Sequence, residues 1–192
     1  MEQNLSSQTL LEYTPIDISA NREGVEAILT TIGNEPVELR GQAPLTFLLP
    51  FFVKLKDIAQ EITYRPLPDG PAFLIFSTID EEQYVRPYDV SLPQKWSNEE
   101  MENLENERLK DSAVECAYDL ASHWQEARNR LPQSPLKSFL EVLYTIAPQK
   151  KAVTLKGICP VLPSLIALHW FCIGAESIFY QESQAAQKER IY

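Results

Sequence analysis

Apolar residues recur at helical spacing in two stretches of the N-terminal part of the chain. Residues 25–32 show the three- and four-residue steps of a single helix face, and Gly33 follows as a stop. Residues 48–59 repeat this pattern, with Pro50 tolerable in a first helical turn. The pattern therefore predicts an N-terminal helix and a second, strongly apolar helix.

The clearest β-sheet signal is a predicted hairpin. Two β-rich runs, residues 62–67 and 72–79, flank the triplet Pro68-Asp69-Gly70. In such a turn proline presets φ, aspartate bonds its own backbone and glycine supplies a positive φ. The second run is apolar on both faces, which predicts a central strand, whereas Pro66 predicts an edge strand for the first. Other short strands are predicted at 11–18, 36–40, 84–90 and 151–158.

The C-terminal half is predicted to be mainly helical. Residues 97–100, Ser-Asn-Glu-Glu, form a capping box that predicts the start of a long helix running to about Arg130. Its second half carries a narrow seam of small and apolar residues: Ala113, Ala117, Leu120, Trp124, Ala127 and Leu131. Further helices are predicted over 135–147, after the candidate N-cap Ser134, and over 163–180.

The last apolar block, residues 159–180, raises the question of a membrane span. A span needs about 20 mostly apolar residues with few charges. Glu176 and His169 interrupt the block, and a carboxylate at the bilayer centre costs about 2.5–3.5 kcal/mol on insertion scales. The pattern therefore favours a helix buried within protein, with a membrane anchor over 161–180 as the alternative.

Together these elements predict an α+β fold in one domain. A small, mostly antiparallel sheet with a central hairpin over 61–79 is packed by an N-terminal helix and a C-terminal helical set. Residues 1–95 form the mixed α/β half of residues 1–192, and residues 96–192 form the helical half. No internal repeat is evident in the sequence.

Composition and charge limit the classes of function that are expected for the chain. With 192 residues and 44% hydrophobic content, the chain can bury a sizeable core. Its net charge of −10 argues against a nucleic-acid partner and against docking on anionic lipid, and fits either solubility or an acidic face for a basic partner. Three cysteines in apolar settings and a polar N-terminus without a basic region predict a reduced, cytoplasmic protein.

No residue pattern is specific for catalysis, a cofactor or a metal. Cys116, His123, His169 and Cys172 could supply zinc ligands if two helices met, but closely spaced ligand pairs are missing. A Cys–His pair could serve as nucleophile and base. With three cysteines, Cys159 among them, and two histidines, some such pair can always be chosen, so this pattern is not specific. The six glycines form no phosphate-binding loop. Two acidic clusters are typical of solvated element ends: 80–82 and 99–107.

The predicted function is therefore a non-catalytic, intracellular protein-binding factor that acts through apolar helix faces. It would be an adaptor, a chaperone-like factor or a complex subunit, and its partner would be another protein or a second copy. Leu168 and Phe171 are the predicted partner-binding residues, because the 163–180 helix is apolar on more faces than one neighbour can cover. Two alternatives stay open: an enzyme with an unrecognised site between sheet and helices, and a membrane-associated protein anchored by 161–180.

Overall fold

The structure, a computed structural model, divides into two compact units. It describes residues 8–79, 83–88, 90–91 and 115–192. Unit 1 comprises residues 1–42 and 54–93, and unit 2 comprises residues 43–53 and 94–192. Each unit contains a sheet of its own. The sequence instead predicted a single domain whose second half is helical.

The sheet of unit 1 is mostly parallel. The elements up to its last strand are β1 (Thr9–Leu10), β2 (Thr14–Asp17), α1 (Arg22–Ile28), β3 (Pro36–Arg40), α2 (Leu45–Lys56), β4 (Glu61–Arg65), β5 (Ala72–Ser77), β6 (Tyr84–Val85) and β7 (Val90–Ser91). The order of the described strands is β2-β3-β4-β5-β7, in which only the β4–β5 hairpin is antiparallel. β1 and β6 form a separate parallel pair.

The four described strands of the sheet of unit 2 are arranged like β2, β3, β4 and β5 of unit 1. Its elements are β8 (Glu115–Asp119), α3 (Leu120–Arg130), α4 (Pro135–Leu143), β9 (Ala152–Lys156), α5 (Val161–Cys172), β10 (Ile178–Gln181) and β11 (Glu189–Arg190). β8, β9 and β10 are parallel, and β11 runs antiparallel to β10. The α+β class predicted from the sequence holds, but the prediction of a mostly antiparallel sheet is wrong, because helices connect successive strands and bring them back parallel.

The chain contains an internal repeat that the sequence analysis did not detect. Residues 36–65 align with residues 152–181 without a gap, so that β3 matches β9, α2 matches α5 and β4 matches β10. Eight of the thirty aligned pairs are identical: Val37/Val153, Leu39/Leu155, Gly41/Gly157, Pro44/Pro160, Leu49/Leu165, Ala59/Ala175, Ile62/Ile178 and Tyr64/Tyr180. Most of them are buried, so the two repeats share their core rather than their surface.

Each sheet has one apolar, fully buried face, because side chains alternate along a strand. The inner face of unit 1 consists of Ile16, Val37, Leu39, Ile62 and Tyr64. The inner face of unit 2 consists of Tyr118, Val153, Leu155, Ile178 and Tyr180. The opposite faces, called outer faces below, carry the polar residues that distinguish the two units.

In each repeat a buried tyrosine of the second strand holds the turn that follows the first strand. The hydroxyl of Tyr64 donates to the carbonyl of Gly41 at 2.9 Å, and that of Tyr180 donates to Gly157 at 3.1 Å. Both glycines adopt positive φ, 88° and 82° respectively. Burial raises the pKa of each tyrosine to about 12, so the hydroxyls remain donors at neutral pH. The same bond therefore positions the carboxyl end of the first strand of each repeat, β3 and β9.

Gly41→Ala is expected to lower the free energy of unfolding by about 1–3 kcal/mol, because a side chain there is strained at positive φ. An added Cβ would also lie 2.8 Å from Oδ1 of Asp17. Gly24→Ala is the matched control in α1, where an added Cβ meets nothing within 4 Å, and should raise stability by about 0.4–1 kcal/mol. Urea unfolding of both variants checks this, and equal effects would contradict it.

The predicted hairpin is confirmed, with one correction. β4 and β5 lie within the predicted range 61–79 and pair antiparallel across the predicted turn. β4 lies between β3 and β5, so it is not an edge strand. Pro66 follows the last residue of β4 and therefore removes no hydrogen bond from the ladder.

Two predicted helices have different bounds. The long helix is observed only from Leu120, because residues 115–119 form β8, and the carboxylate of Asp119 caps α3 by accepting from the Ser122 amide at 2.8 Å. The predicted capping box at 97–100 lies outside the described residues. α5 ends at Cys172, before the predicted end at 180, and Gly174 follows it at a close approach where an added Cβ would lie 2.9 Å from the backbone nitrogen of Gln149. Among the described helices, none is long and apolar enough to cross a bilayer.

Candidate functional site

The outer face of unit 1 carries two buried carboxylates. Glu38 of β3 is 1% exposed and Glu61 of β4 is 0% exposed. Burying an ionised carboxylate is unfavourable unless it is paired and hydrogen-bonded. The partners come from neighbouring strands and from the segment that follows β6.

Glu61 is bound from three sides. Arg86 donates to both of its oxygens, from Nε at 3.0 Å and from Nη2 at 2.7 Å. Ser77 of β5 donates its hydroxyl at 2.7 Å, and the hydroxyl of Tyr13 donates to Oε1. Each oxygen of Glu61 therefore accepts two hydrogen bonds.

Glu38 is bound in the same way by a second arginine and a second tyrosine. Arg65 donates to both oxygens, from Nε at 3.1 Å and from Nη2 at 2.9 Å. Arg40 donates from Nε at 2.5 Å, and the hydroxyl of Tyr88 donates to Oε2. The guanidinium of Arg65 also lies 4.6 Å from the centre of the Tyr88 ring. The rings of Tyr13 and Tyr88 stack at 5.5 Å, which joins the two clusters.

These bonds influence the protonation of Glu38 and of the two tyrosines. Burial raises the pKa of Tyr13 and of Tyr88, and the hydrogen bonds to their carboxylates raise both further. Burial alone would also raise the pKa of Glu38, but hydrogen bonds from Arg65 and Tyr88 hold it below its ordinary value. A carboxylate kept ionised, with every oxygen occupied, is poorly suited to exchange a proton with a substrate. The network therefore fastens residues 83–88 to the sheet.

A shallow groove lies in unit 2 between α3 and the turn that follows β9. Its volume is about 800 Å³. Its walls are formed by Ala121, Ser122, Trp124, Gln125, Glu126, Arg128, Asn129, Ile158 and Pro160. We call this feature the α3 groove.

The α3 groove is lined by apolar and by polar side chains. Ile158 is 66% exposed although it is aliphatic, and Pro160 is exposed beside it. Trp124 is half-buried, and its ring meets the ring of Phe139 edge-on at 5.9 Å, which holds the indole in place. Arg128 lies one helical turn further along α3. Tryptophan and arginine are typical of the residues that dominate protein–protein binding.

The structure places the two predicted partner-binding residues in the interior. Leu168 and Phe171 of α5 are both 0% exposed. The ring of Phe171 packs edge-on against Tyr118 at 5.5 Å. Neither side chain is accessible to a second protein in this conformation, because the chain itself covers the faces of α5 that carry them.

The cysteines and histidines form no metal-binding cluster in the part of the chain that the structure describes. Burial raises the pKa of Cys159 to about 12 and also raises that of Cys116, which keeps both as thiols. His123 packs on Tyr118 at 4.4 Å. No three His, Cys, Asp or Glu side chains of the described residues could hold a metal ion together. The acidic clusters at 80–82 and 99–107 lie outside the described residues.

No family model, curated protein or solved structure matches this chain. The sequence analysis missed the α3 groove and both buried carboxylates. Residues 36–40, Pro-Val-Glu-Leu-Arg, do alternate charged and apolar side chains, which would have placed Glu38 on the outer face. Ile158 has no such signal, because its exposure depends on where α3 packs.

Proposed function

We propose that the chain is a non-catalytic protein-binding factor and that the α3 groove holds a segment of its partner. The observation that carries this proposal is the exposed Ile158 beside the anchored indole of Trp124. Removing such a side chain from water on binding yields about 25 cal/mol per Å² of apolar surface. The sequence predicted that an apolar helix face binds the partner. We keep that role but assign it to α3 instead of α5.

The internal repeat supports a binding role for Ile158. The equivalent position in unit 1 is Gln42, which donates from Nε2 to the Tyr64 hydroxyl at 3.1 Å. The repeat therefore accepts a polar residue at this position, and its architecture does not require an exposed isoleucine. An aliphatic side chain in water at that position is a reason to expect a ligand surface.

The chemistry of the groove defines the partner segment. A large apolar side chain of the partner would pack on Ile158 and Trp124. An acidic group would pair with the exposed guanidinium of Arg128. A different protein is favoured over a second copy, because two chains of net charge −10 repel each other.

Ile158→Asp is expected to weaken partner binding about tenfold or more, because it replaces an exposed apolar side chain of the groove by a carboxylate. Ile173→Asp is the matched control, since Ile173 is also an exposed isoleucine of unit 2 but does not line the groove. Affinity purification from the native cell, with quantitative mass spectrometry, compares both variants with the unaltered chain.

Circular dichroism and thermal melting check that both variants are folded. The proposal predicts that one set of proteins is lost with Ile158→Asp and retained with Ile173→Asp. Equal recovery with both variants, or equal loss with both, would contradict it.

A further inference from the structure

A second cleft lies in unit 1 at the carboxyl ends of its parallel strands. Its volume is about 600 Å³, and three prolines form part of its wall. Asp17, Arg40 and Arg65 line it, and they are the last residues of β2, β3 and β4 respectively. In sheets of this kind ligands bind outside the carboxyl ends of the strands.

The three charged residues form one row across the sheet. Asp17 stands opposite Arg40, and Arg40 stands opposite Arg65 in the strand register. Arg65 is held in place, because Nε and Nη2 bind Glu38 and Nη1 donates to the carbonyl of Gly70 at 2.6 Å. Its positive charge is therefore a fixed part of the wall.

Asp17 and Arg40 keep unused polar atoms. Oδ1 of Asp17 accepts from the amide and the hydroxyl of Ser19, whereas no residue that the structure describes donates to Oδ2. Arg40 binds Glu38 through Nε alone among the described residues, and its side chain is 53% exposed. Although the two residues stand opposite each other, they form no ion pair within the described ranges. A carboxylate oxygen and a guanidinium edge thus line the same cleft.

We propose that this cleft binds a small zwitterion of the α-amino-acid class. The ligand carboxylate would accept two hydrogen bonds from the terminal nitrogens of Arg40, and the ligand ammonium would donate to Oδ2 of Asp17. An anion without an ammonium would meet the carboxylate of Asp17, and a cation without a carboxylate would meet two guanidinium groups. A dipolar ligand satisfies both charges and is selected over either.

Unit 2 provides the internal control. Asp119 and Lys156 occupy the equivalent row, but Gln181 stands in the place of Arg65. Asp119 is already engaged as the N-cap of α3. Unit 2 therefore lacks the fixed positive wall that Arg65 provides in unit 1, and we expect no zwitterion site there.

Isothermal titration calorimetry of the full chain with free L-amino acids, up to about 10 mM, tests the proposal. At least one amino acid is expected to bind. Acetylating its amine or amidating its carboxylate should each weaken binding about tenfold or more. Arg40→Gln and Asp17→Asn should do the same, whereas Lys156→Gln should leave the affinity unchanged.

Circular dichroism is used to check that each variant is folded. If Arg40→Gln does not fold, Arg40→Lys is tested in its place. This variant keeps the positive charge but loses the paired N–H donors of the guanidinium, and it should also weaken binding. The proposal is overturned if no free amino acid binds, or if the N-acetyl form binds as well as the free form, which would show an anion site only. Binding that is unchanged in the Arg40 and Asp17 variants would overturn it as well.

Discussion

Replacing Phe171 by alanine is expected to lower the free energy of unfolding by about 3–5 kcal/mol. The side chain is 0% exposed and packs against Tyr118, so its removal leaves a cavity in a buried core. Leu168→Ala should lower it by about 2–5 kcal/mol for the same reason. Urea unfolding followed by tryptophan fluorescence measures both losses.

Ile173→Ala is the control on the same segment, because Ile173 is 41% exposed. It should change the free energy of unfolding by less than about 1 kcal/mol. If Phe171→Ala is as stable as the unaltered chain, Phe171 is not in the core, and the original assignment of α5 as the partner-binding helix would return.

Arg65→Ala is expected to lower the free energy of unfolding by about 3 kcal/mol at neutral pH. The substitution removes the arginine that donates a hydrogen bond to each oxygen of the buried Glu38 carboxylate. Arg65 itself is only 16% exposed, so solvent does not replace the lost bonds. Arg40→Ala removes a half-exposed partner of the same carboxylate and should cost about 1 kcal/mol or less.

The effect of Arg65→Ala should depend on pH in one direction. The pKa of Glu38 is lowered in the folded chain, so its ionisation stabilises the fold above the unfolded-state pKa and this contribution is lost as the pH falls through the folded-state pKa. The difference between Arg65→Ala and the unaltered chain should therefore be largest near pH 7 and shrink below about pH 4.5. A difference that grows on acidification would contradict the assignment of an ionised Glu38.

Local sequence signals predicted the hairpin but not the sheets around it. The turn at 68–70 is specified by adjacent residues, so the pairing of β4 with β5 could be predicted. Parallel pairing joins strands separated by a helix, and nothing local to 36–40 or 152–156 indicates which strand lies beside it. β8 was predicted as helix because its alanine fits the seam of α3, whereas its pairing with β9 decides its conformation.

The internal repeat and the polar network around Glu38 and Glu61 could not be predicted from the sequence, for two different reasons. The identities between the repeats are scattered and lie at buried positions, where many apolar residues substitute for one another. Glu38 and Glu61 are bound by Tyr88 and Tyr13, about fifty residues away in the chain. A buried carboxylate with distant partners resembles a solvated one in the sequence. The exposed Ile158 likewise resembles a core residue until the packing of α3 is known.

The most direct test of a protein partner in the α3 groove is photo-crosslinking from position 158. Ile158 would be replaced by a benzophenone-bearing amino acid in the native cell, and the crosslinked products would be identified by mass spectrometry. The account predicts a discrete adduct from position 158 that decreases with Arg128→Glu, and no such adduct when the same amino acid is placed at position 173. Absence of an adduct at position 158, or an adduct that also forms from position 173 and is insensitive to Arg128→Glu, would contradict it.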